Sequence, residues 1–434
     1  MKHSQSLKQR LIRGAVGSFG LKIISTGLAF LLNLLLARSL GSEGLGTYAL
    51  VITWIGLLGL PAKLGFPQLL VRNVAIYSSQ AKWDLLRGLI RRAYQITAAL
   101  SLALAIVVAV LAWLWGKDSQ IFLTLLVGLI ALPLNSFRVL NQSVMSGLHK
   151  VVQGQLPENL IAPLLMLLLT LSSYAIVDNK IAPELVITFY VGVAVITVLI
   201  GLNQLSRALP SEMFTMEPHY TTWRWIQTAV PFMVFGALYM VNSQTDVIML
   251  GAIKGAESVG LYVVANKISS LVIFILTASN SALGPNIASL YAVGKLAELE
   301  RIISKASKVV LFFSCIIAIS IFLFKNTLLG LFGKEFLESQ NVLVILMIGQ
   351  LVNAFVGPVG LLLNMSGNEK LSLIAFSLSA VTNIALNYYL IPGYDVEGAA
   401  LATAISTIVW NLASMIFVIK RLGINPTVVG KSKA

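Results

Sequence analysis

Twelve apolar runs of about 20 residues dominate the sequence and limit what the chain can fold into. A helix of that length spans about 30 Å, the thickness of the hydrocarbon layer of a bilayer. The chain is 57% hydrophobic and 11% charged, whereas soluble domains carry about 25% charged residues. The sequence therefore predicts an all-α, polytopic membrane protein. The predicted spans are residues 15–37, 45–66, 93–115, 120–140, 156–177, 185–205, 226–250, 259–290, 308–324, 341–363, 371–391 and 398–419.

A glycine-rich turn between two of these runs recurs in the second half of the chain. Gly41 to Tyr48 reads Gly-Ser-Glu-Gly-Leu-Gly-Thr-Tyr, and Gly255 to Tyr262 reads Gly-Ala-Glu-Ser-Val-Gly-Leu-Tyr, 214 residues later. Two further pairs of motifs keep the same order: Leu64-Gly65 with Leu283-Gly284, and Met145-Ser146-Gly147 with Met365-Ser366-Gly367. We predict an internal repeat of roughly 215 to 220 residues, well above the period of a solenoid.

The repeat divides the twelve predicted spans into two lobes of six. We expect an N-terminal lobe at residues 1–207, a cytoplasmic linker at 208–224, and a C-terminal lobe with a short basic tail at 225–434. Because six is an even number, both repeats enter the membrane from the same side. The sequence therefore predicts two parallel six-helix repeats related by an axis along the membrane normal.

The net charge of +14 is explained by the membrane rather than by a nucleic-acid partner. If both termini are cytoplasmic, 22 of the 31 Lys and Arg residues lie on inner loops, tails and helix ends. Such an excess on one side is the positive-inside pattern of membrane proteins. We expect a multi-pass protein of the bacterial cytoplasmic (inner) membrane, with both termini cytoplasmic and membrane lipids as its surroundings.

The sequence contains none of the motifs that carry common enzyme chemistry. It has no phosphate-binding loop, nucleophile elbow or His-Glu-x-x-His motif, and the soluble segments are short. The one cysteine, Cys315, lies inside a predicted span. We therefore predict no catalytic residues, no cofactor and no metal site, and a proton or sodium gradient rather than ATP as the energy source.

Polar residues within the spans are costly there and are the candidates for a functional site. The candidates for a substrate cavity are Lys22, Asn33, Lys63, Asn242, Gln244 and Lys267. Asp246 is either the partner of Lys267 in a structural ion pair or a group that couples transport to an ion. For the Asn and Gln side chains, bonding between helices is the alternative to binding sugar hydroxyls. With one acid among these charges, the predicted cavity is cationic and favours anions.

Prolines and glycines interrupt two spans at matching places in the repeats. Pro61, Gly65 and Pro67 lie in the second span, and Gly284 with Pro285 in the eighth. Proline removes a helix hydrogen bond, and paired helix breaks point to the moving part or the binding site of a transporter. The simpler alternative is that proline is tolerated in membrane helices.

Several short motifs together resemble the polysaccharide transporters of the multidrug/oligosaccharidyl-lipid/polysaccharide (MOP) exporter superfamily, over nearly the whole chain. They are Leu36 to Gly41, Gly44 to Tyr48, Asp246 to Leu250, Gly260 to Tyr262, Ala265 to Lys267, Gly330 to Phe336, Pro392 to Tyr394 and Gly398 to Ala400. The resemblance implies a two-lobe fold like that of the multidrug (MATE) exporters, with a central cavity that opens alternately to either side.

The resemblance also implies a function. It implies a flippase that moves polyprenyl-pyrophosphate-linked oligosaccharide from the inner to the outer leaflet, for O-antigen (lipopolysaccharide) or other surface polysaccharide. A polysaccharide polymerase and its chain-length machinery would then be partners. Two alternatives remain: a cation-coupled multidrug antiporter of the same superfamily, and a membrane glycosyltransferase or polymerase. The first is weakened by the scarcity of acids in the spans, the second by the short outer loops.

Overall fold

The computed structural model describes residues 2–116, 121–176 and 181–428, and every regular element within these ranges is helical. The first half contains α1 (Lys2–Lys63), α2 (Phe66–Ser79), α3 (Trp83–Gly116), α4 (Phe122–Leu129), α5 (Ala131–Gly147), α6 (Val151–Leu156), α7 (Ala162–Ile176), α8 (Pro183–Ala208) and α9 (Ser211–Thr215). The second half contains α10 (Thr222–Lys254), α11 (Ala256–Ser269), α12 (Phe274–Ala292), α13 (Leu296–Leu323), α14 (Lys325–Phe332), α15 (Gln340–Val356), α16 (Val359–Met365) and α17 (Glu369–Leu422). A π-helical turn covers Pro157–Ile161, and 3-10 turns cover Ser270–Ile273 and Lys334–Ser339.

Ten helical segments in the described part of the chain are long and apolar enough to cross a membrane. The first and the last, Gly20–Lys63 and Glu369–Leu422, each contain two predicted spans. Each bends at one non-helical residue, Gly41 (φ 73°) or Asp395 (φ 49°). Gly41 adopts this conformation at little cost because it has no Cβ. The ten segments thus account for the twelve predicted spans, and the predicted all-helical membrane fold is confirmed.

The chain forms two compact units. The N-terminal unit consists of Met1–Leu40 and Leu50–Ala237, and the C-terminal unit consists of Gly41–Ala49 and Leu238–Ala434. The first copy of the repeated turn therefore belongs to the C-terminal unit. The lobe limits predicted from the sequence, with a linker at 208–224, stay a prediction.

Each unit has its own apolar core. In the N-terminal unit, α2, α3 and α5 pack together through buried side chains that include Phe66, Leu89 and Val144, with Trp225 of α10 beside them. In the C-terminal unit, one core joins α12, α13, α16 and the end of α17 through Ile287, Ile303 and Leu362 among others. Large apolar side chains are also exposed along most of the long helices, as a lipid-facing surface requires.

Part of the predicted linker packs on the N-terminal unit. Arg87 of α3 donates from Nη1 to the carbonyl of Phe214 at 2.9 Å, and the backbone N–H of His219 donates to the carbonyl of Asp84 at 3.1 Å. Met213 is buried in the core of the same unit. This segment is therefore a packed part of the N-terminal unit.

The predicted helix interruptions differ between the two repeats. In the first, α1 ends at Lys63, Leu64 and Gly65 have positive φ, and α2 starts at Phe66 with Pro67 in its first turn. Pro61 lies inside the last turn of α1. In the second, Gly284 and Pro285 lie within α12, which continues from Phe274 to Ala292. No helix end falls at these two residues, and the non-α turn of this repeat lies earlier, at Ser270–Ile273.

The two copies of the repeated turn contact each other through small residues. A Cβ on Gly46 would overlap the carbonyl of Ala256, and a Cβ on Gly260 would overlap the carbonyl of Ser42. The carboxylate of Glu335 accepts the backbone N–H of Ser42 at 2.6 Å. All of these residues belong to the C-terminal unit, so this contact fixes the first turn within that unit.

Candidate functional site

A cluster of hydrogen-bonded polar side chains surrounds Asp246 of α10 in the C-terminal unit. The hydroxyl of Tyr262 on α11 donates to Asp246 Oδ2 at 2.9 Å. The Nδ2 atoms of Asn383 and Asn387 on α17 donate to Asp246 Oδ1 at 2.8 and 2.7 Å. The carboxylate thus accepts three hydrogen bonds from two other helices, and it links the three helices at this depth.

A second layer of polar groups supports this cluster from the part of α17 that follows the bend at Asp395. Thr403 Oγ1 lies 2.8 Å from the Tyr262 hydroxyl. Asn383 Nδ2 lies 3.3 Å from Ser406 Oγ as a donor. The bend thus brings both parts of α17 to the same cluster: the amides of the first part bind the carboxylate, and the hydroxyls of the second part contact its donors.

The sequence places these donors by helical spacing. Asn383 and Asn387 are four residues apart, so they lie on one face of α17 and can reach the same oxygen. Asn387 Nδ2 also donates to Asn383 Oδ1 at 3.1 Å. Thr403 Oγ1 donates back to the carbonyl of Ala399, four residues earlier, at 2.9 Å. The Thr403 hydroxyl and the Ala399 carbonyl consequently lie side by side on α17.

Asp246 is 4% exposed, and Asn387 is fully buried. A buried carboxylate is costly unless it is paired or well hydrogen-bonded. Within the described residues, the partners of Asp246 are neutral donors and no ion pair with it is found. The cluster therefore concentrates one negative charge among neutral groups, an arrangement suited to a proton or a monovalent cation.

The donor set fits a hard cation better than a transition metal. No three His, Cys, Asp or Glu side chains come together as ligands in the part of the chain that the structure describes. The cluster offers the carboxylate of Asp246, the hydroxyl of Thr403 and Asn387 Oδ1, a buried oxygen without a hydrogen-bond partner. Hard cations prefer oxygen ligands of this kind. The residues present thus fit a cation such as sodium.

A second charged group lies in the N-terminal unit, where α1, α5 and the π-helical turn meet. Arg138 of α5 and Glu158 of the turn form an ion pair, with 3.4 Å between Nη2 and Oε1. Glu158 and Arg138 are also the charged side chains that interact electrostatically with Lys63 at the end of α1. Lys63, Arg138 and Glu158 thus bring two cations and one carboxylate into this part of the unit.

The polar neighbours of this group form hydrogen bonds between helices. Asn135 Nδ2 of α5 donates to the hydroxyl of Tyr190 on α8 at 2.8 Å. The hydroxyl of Tyr94 on α3 donates to Asn141 Oδ1 on α5. Asn side chains in membrane helices often form such bonds, and here they join α5 to α3 and α8. These hydrogen bonds therefore also hold Arg138 of α5 in place.

The predicted cavity residues of the first span lie apart from both clusters. Lys22 is exposed on α1. Asn33 Nδ2 donates to the carbonyl of Ala29, one turn earlier in the same helix, at 2.6 Å. Of the predicted residues in the N-terminal unit, Lys63 alone lies beside the charged group. Whether Lys22 and Asn33 face a substrate cavity stays a prediction.

The remaining predicted residues lie in the C-terminal unit. Asn242 accepts from Ser379 at 3.3 Å and so borders the Asp246 cluster, while Gln244 lies half-buried on α10. The ion pair between Asp246 and Lys267 considered from the sequence is not formed: Tyr262, not Lys267, contacts the carboxylate. The reason is helical geometry, because five residues correspond to about 140° around α11 beyond one full turn. Lys267 thus lies on a different side of α11 from Tyr262.

The sequence reasoning identified Asp246 but missed most of its partners. Asn383, Asn387 and Thr403 were not singled out, although asparagines four residues apart inside an apolar span were a usable signal. Glu158 was also missed because it lies near the end of a predicted span, where acids are common. The Pro157-Glu158 pair within an apolar run was the signal for that site.

Comparisons with known proteins agree with this architecture. A family described as "Polysaccharide biosynthesis protein" matches residues 11–291, more than half of the chain. The chain belongs to this family. A second family, described as MatE, matches residues 231–389. The predicted relationship to the polysaccharide transporters of the MOP superfamily is confirmed, and the family is one of membrane transporters rather than enzymes.

Relatives and solved structures cover most of the chain. The probable low-salt glycan biosynthesis flippase of Haloferax volcanii is 24% identical over 398 residues, which cover 91% of this chain and 81% of the relative. An inward-facing multidrug resistance MATE family transporter of the MOP superfamily superposes with a TM-score of 0.74 at 15% identity, over 92% of this chain and 94% of the other. Lipid II flippase MurJ, in an inward closed conformation, gives 0.70 at 16% identity, over 94% and 87%. At these identities, the two structures establish the fold of this multi-pass membrane protein.

Proposed function

We propose that this protein is a flippase that moves a lipid-linked oligosaccharide across the cytoplasmic membrane during the synthesis of a surface glycan. The observation that carries the proposal is the relationship to a probable glycan biosynthesis flippase along 91% of the chain. The substrate would be an oligosaccharide on polyprenyl pyrophosphate, delivered to the outer leaflet by alternating access. O-antigen repeat units are the specific substrate that the sequence resemblance implies.

The charged group of the N-terminal unit supports an anionic substrate. Lys63 and Arg138 bring two cations to one place, and one carboxylate accompanies them. Arginine binds phosphate oxygens through its planar set of donors, and lysine acts as a point charge. We assign the pyrophosphate of the substrate to this group.

The Asp246 cluster supports coupling to a cation. A proton or sodium ion that binds Asp246 more tightly in one conformation than in the other would bias the equilibrium between them. The cluster joins α10, α11 and both parts of α17, so a change in its occupancy would alter the packing of all three. We propose Asp246 as the coupling residue.

The membrane location and partners follow from the same proposal. The excess of Lys and Arg on one set of loops supports a cytoplasmic position for both termini, in a bacterial or archaeal cytoplasmic membrane. A polysaccharide polymerase and chain-length machinery would receive the translocated units where the glycan is polymerised.

The proposal is tested by leaflet translocation in liposomes that contain the purified protein. The probe is a polyprenyl-pyrophosphate oligosaccharide whose sugar can be modified from outside. We expect protein-dependent movement of the sugar to the opposite leaflet, faster under a sodium or proton gradient. An O-antigen unit used as a second probe tests the more specific assignment.

Two outcomes would contradict the proposal. No movement of the lipid-linked sugar, with gradient-driven transport of cationic drugs instead, would establish the multidrug antiporter alternative. Normal translocation by the Lys63→Gln/Arg138→Gln double variant would contradict the assignment of the pyrophosphate to these cations. Lys82→Gln is a suitable control, because Lys82 is exposed just before α3 in the same unit and carries the same charge.

A further inference from the structure

Two buried polar groups of the N-terminal unit lie at one small cavity between α5 and α8. Asn141 of α5 and Gln204 of α8 both line this cavity. Asn141 Nδ2 and Gln204 Oε1 are buried, and neither atom has a hydrogen-bond partner among the described residues. We propose that the cavity binds one ordered water molecule, which accepts a hydrogen bond from Asn141 and donates one to Gln204. The water site does not depend on which substrate the protein moves.

The amide of Asn141 is oriented by a hydrogen bond from α3. The hydroxyl of Tyr94 donates to Asn141 Oδ1, so Nδ2 lies on the other side of the planar amide. There it is next to α8, because a Cβ on Gly201 would lie 3.0 Å from Nδ2. Asn141 is 4% exposed, so solvent at the protein surface does not satisfy this donor. A buried donor without a partner is costly, and such groups in proteins are usually satisfied by protein atoms or by ordered water.

The sequence of α8 supplies both space and acceptors at the cavity. Gly201 and Gln204 are three residues apart, so they lie on one face of the helix. Gly201 has no side chain and leaves room beside Asn141. Thr197, one turn earlier, also lines the cavity. Its hydroxyl donates to the carbonyl of Val193 at 2.8 Å, so its oxygen can still accept a hydrogen bond. The water thus has one donor and two acceptors around it, and three hydrogen bonds are typical of a buried water.

The size and the chemistry of the cavity both select water. Its volume is about 10 Å³, which is about the least that holds one water molecule. A metal cation needs acceptors alone, whereas the cavity presents the Asn141 donor and the cationic side chain of Arg138. An anion needs donors alone and is repelled by Gln204 Oε1, and a chloride ion is larger than water. Water can accept and donate at once, so it fits both kinds of partner.

The cavity also lies against the π-helical turn Pro157–Ile161. Gly154 of α6 and Pro157, the first residue of the turn, are among its lining residues. Proline has no N–H to donate, and ordered water is one means by which membrane helices satisfy polar groups near a proline. The water would therefore join α5 to α8 at the place where the neighbouring span departs from α-helical geometry.

X-ray radiolysis followed by mass spectrometry tests the site on the purified protein in detergent. X-rays convert a bound water into a hydroxyl radical, which oxidises the side chain beside it. Met145 lines the cavity and is 2% exposed, so water at the surface does not reach it. Met166 of α7 is the matched control, because it is 3% exposed and does not line the cavity. We expect Met145 to be oxidised several-fold faster than Met166.

A variant of Gly201 removes the water without removing its partners. The Cβ in Gly201→Ala narrows a cavity that is already close to the lower limit for one water. We expect the oxidation rate of Met145 to fall to that of Met166. Gly192→Ala is the matched control on the same helix, because a Cβ there meets nothing within 4 Å, and the oxidation of Met145 should stay fast.

Melting temperatures provide a second measurement that does not use radicals. Gln204→Leu removes one acceptor of the water and should lower the melting temperature of the protein in detergent. In a Gly201→Ala background the same substitution should lower it less, because the water is already lost and groups that share a partner are not additive. Asn203→Leu is the control, because it replaces an exposed amide of the same helix and should cause little change.

Three results would overturn the water site. The first is equal oxidation of Met145 and Met166 in the wild type. The second is fast oxidation of Met145 in folded Gly201→Ala protein, together with additive effects of Gly201→Ala and Gln204→Leu on the melting temperature. The third is a change in the oxidation of Met145 and in the melting temperature when gluconate replaces chloride in the buffer, because an anion would then occupy the cavity. For a water we expect neither quantity to change.

Discussion

Gly46 and Gly260 occupy the same position in the two copies of the repeated turn, and each contacts the backbone of the other copy. Gly46 lies against the carbonyl of Ala256, and Gly260 lies against the carbonyl of Ser42. Ser42 and Ala256 are themselves equivalent, because both pairs are separated by 214 residues. The two copies of the turn therefore contact each other reciprocally. This close contact explains why both positions need glycine.

Replacement of Gly46 by Ala should destabilise the protein. The new Cβ would overlap a backbone carbonyl, which cannot rotate away as a side chain can, and overpacking of this kind costs typically about 1–3 kcal/mol or more. Gly27→Ala, on the same helix, is the control, since a Cβ there meets nothing within 4 Å. Thermal melting in detergent measures both. Equal melting temperatures for the two variants would contradict the close contact.

Loss of the Glu335 side chain should loosen the same turn. Glu335 accepts the N–H of Ser42, which begins the helical segment after the bend at Gly41. Without this acceptor an N–H near the start of a helix loses its partner, so Glu335→Ala should cost about 1 kcal/mol. Glu338→Ala, an exposed acid of the same 3-10 turn, should have little effect. A similar loss in both variants would mean that charge, not the contact with Ser42, is responsible.

Tyr262 should contribute to stability through its hydroxyl, which contacts both Asp246 and Thr403. Tyr262→Phe keeps the ring but leaves the buried carboxylate with one donor fewer, for which we expect a loss of about 1–3 kcal/mol. Tyr239→Phe is the control, because that ring is 61% exposed and its stacking on Phe376 does not need the hydroxyl. Chemical denaturation or melting in detergent measures the difference. An unchanged Tyr262→Phe protein would contradict the hydrogen-bonded cluster.

The sequence was most informative where one physical constraint acts alone. Membrane thickness fixes the length of apolar runs, so the spans could be predicted, and a bilayer excludes all but a few acids, so Asp246 stood out. The motif from Gly41 to Tyr48 also identified the repeat, although the contact between its two copies was seen only in the structure. In each case, a local pattern corresponds to a local requirement of the fold.

The parts that were missed depend on how helices rotate and bend. The bend at Asp395 brings Thr403 to the Asp246 cluster that Asn387 also joins, and spacing along the chain does not reveal it. The expected pairing of Asp246 with Lys267 used depth alone and ignored the angle around the helix. Glu158 pairs with Arg138 only because the π-helical turn packs beside α5. Side-chain direction and tertiary packing, rather than composition, decide such contacts.

Asp246→Asn should separate the coupling role of the cluster from its structural role. Asparagine has nearly the same shape, but it is neutral and cannot attract a cation into a buried site. It also turns an amide towards the Asn383 or Asn387 donors, so a modest loss of stability, about 1–2 kcal/mol, is expected. The main effect should be on ion coupling: the translocation rate should no longer increase when a sodium or proton gradient is imposed.

Liposome translocation with and without each gradient measures this effect. For the wild type we expect a clear acceleration of translocation by one of the two gradients. For Asp246→Asn we expect the translocation rate measured without a gradient, because an ion can bias the conformations only if it binds one of them more tightly. Asp395→Asn removes a carboxylate that is paired with Lys254 outside the cluster, and it should keep the gradient response. If Asp246→Asn responds like the wild type, the cation acts elsewhere, and the Asp246 cluster is a structural junction of α10, α11 and α17.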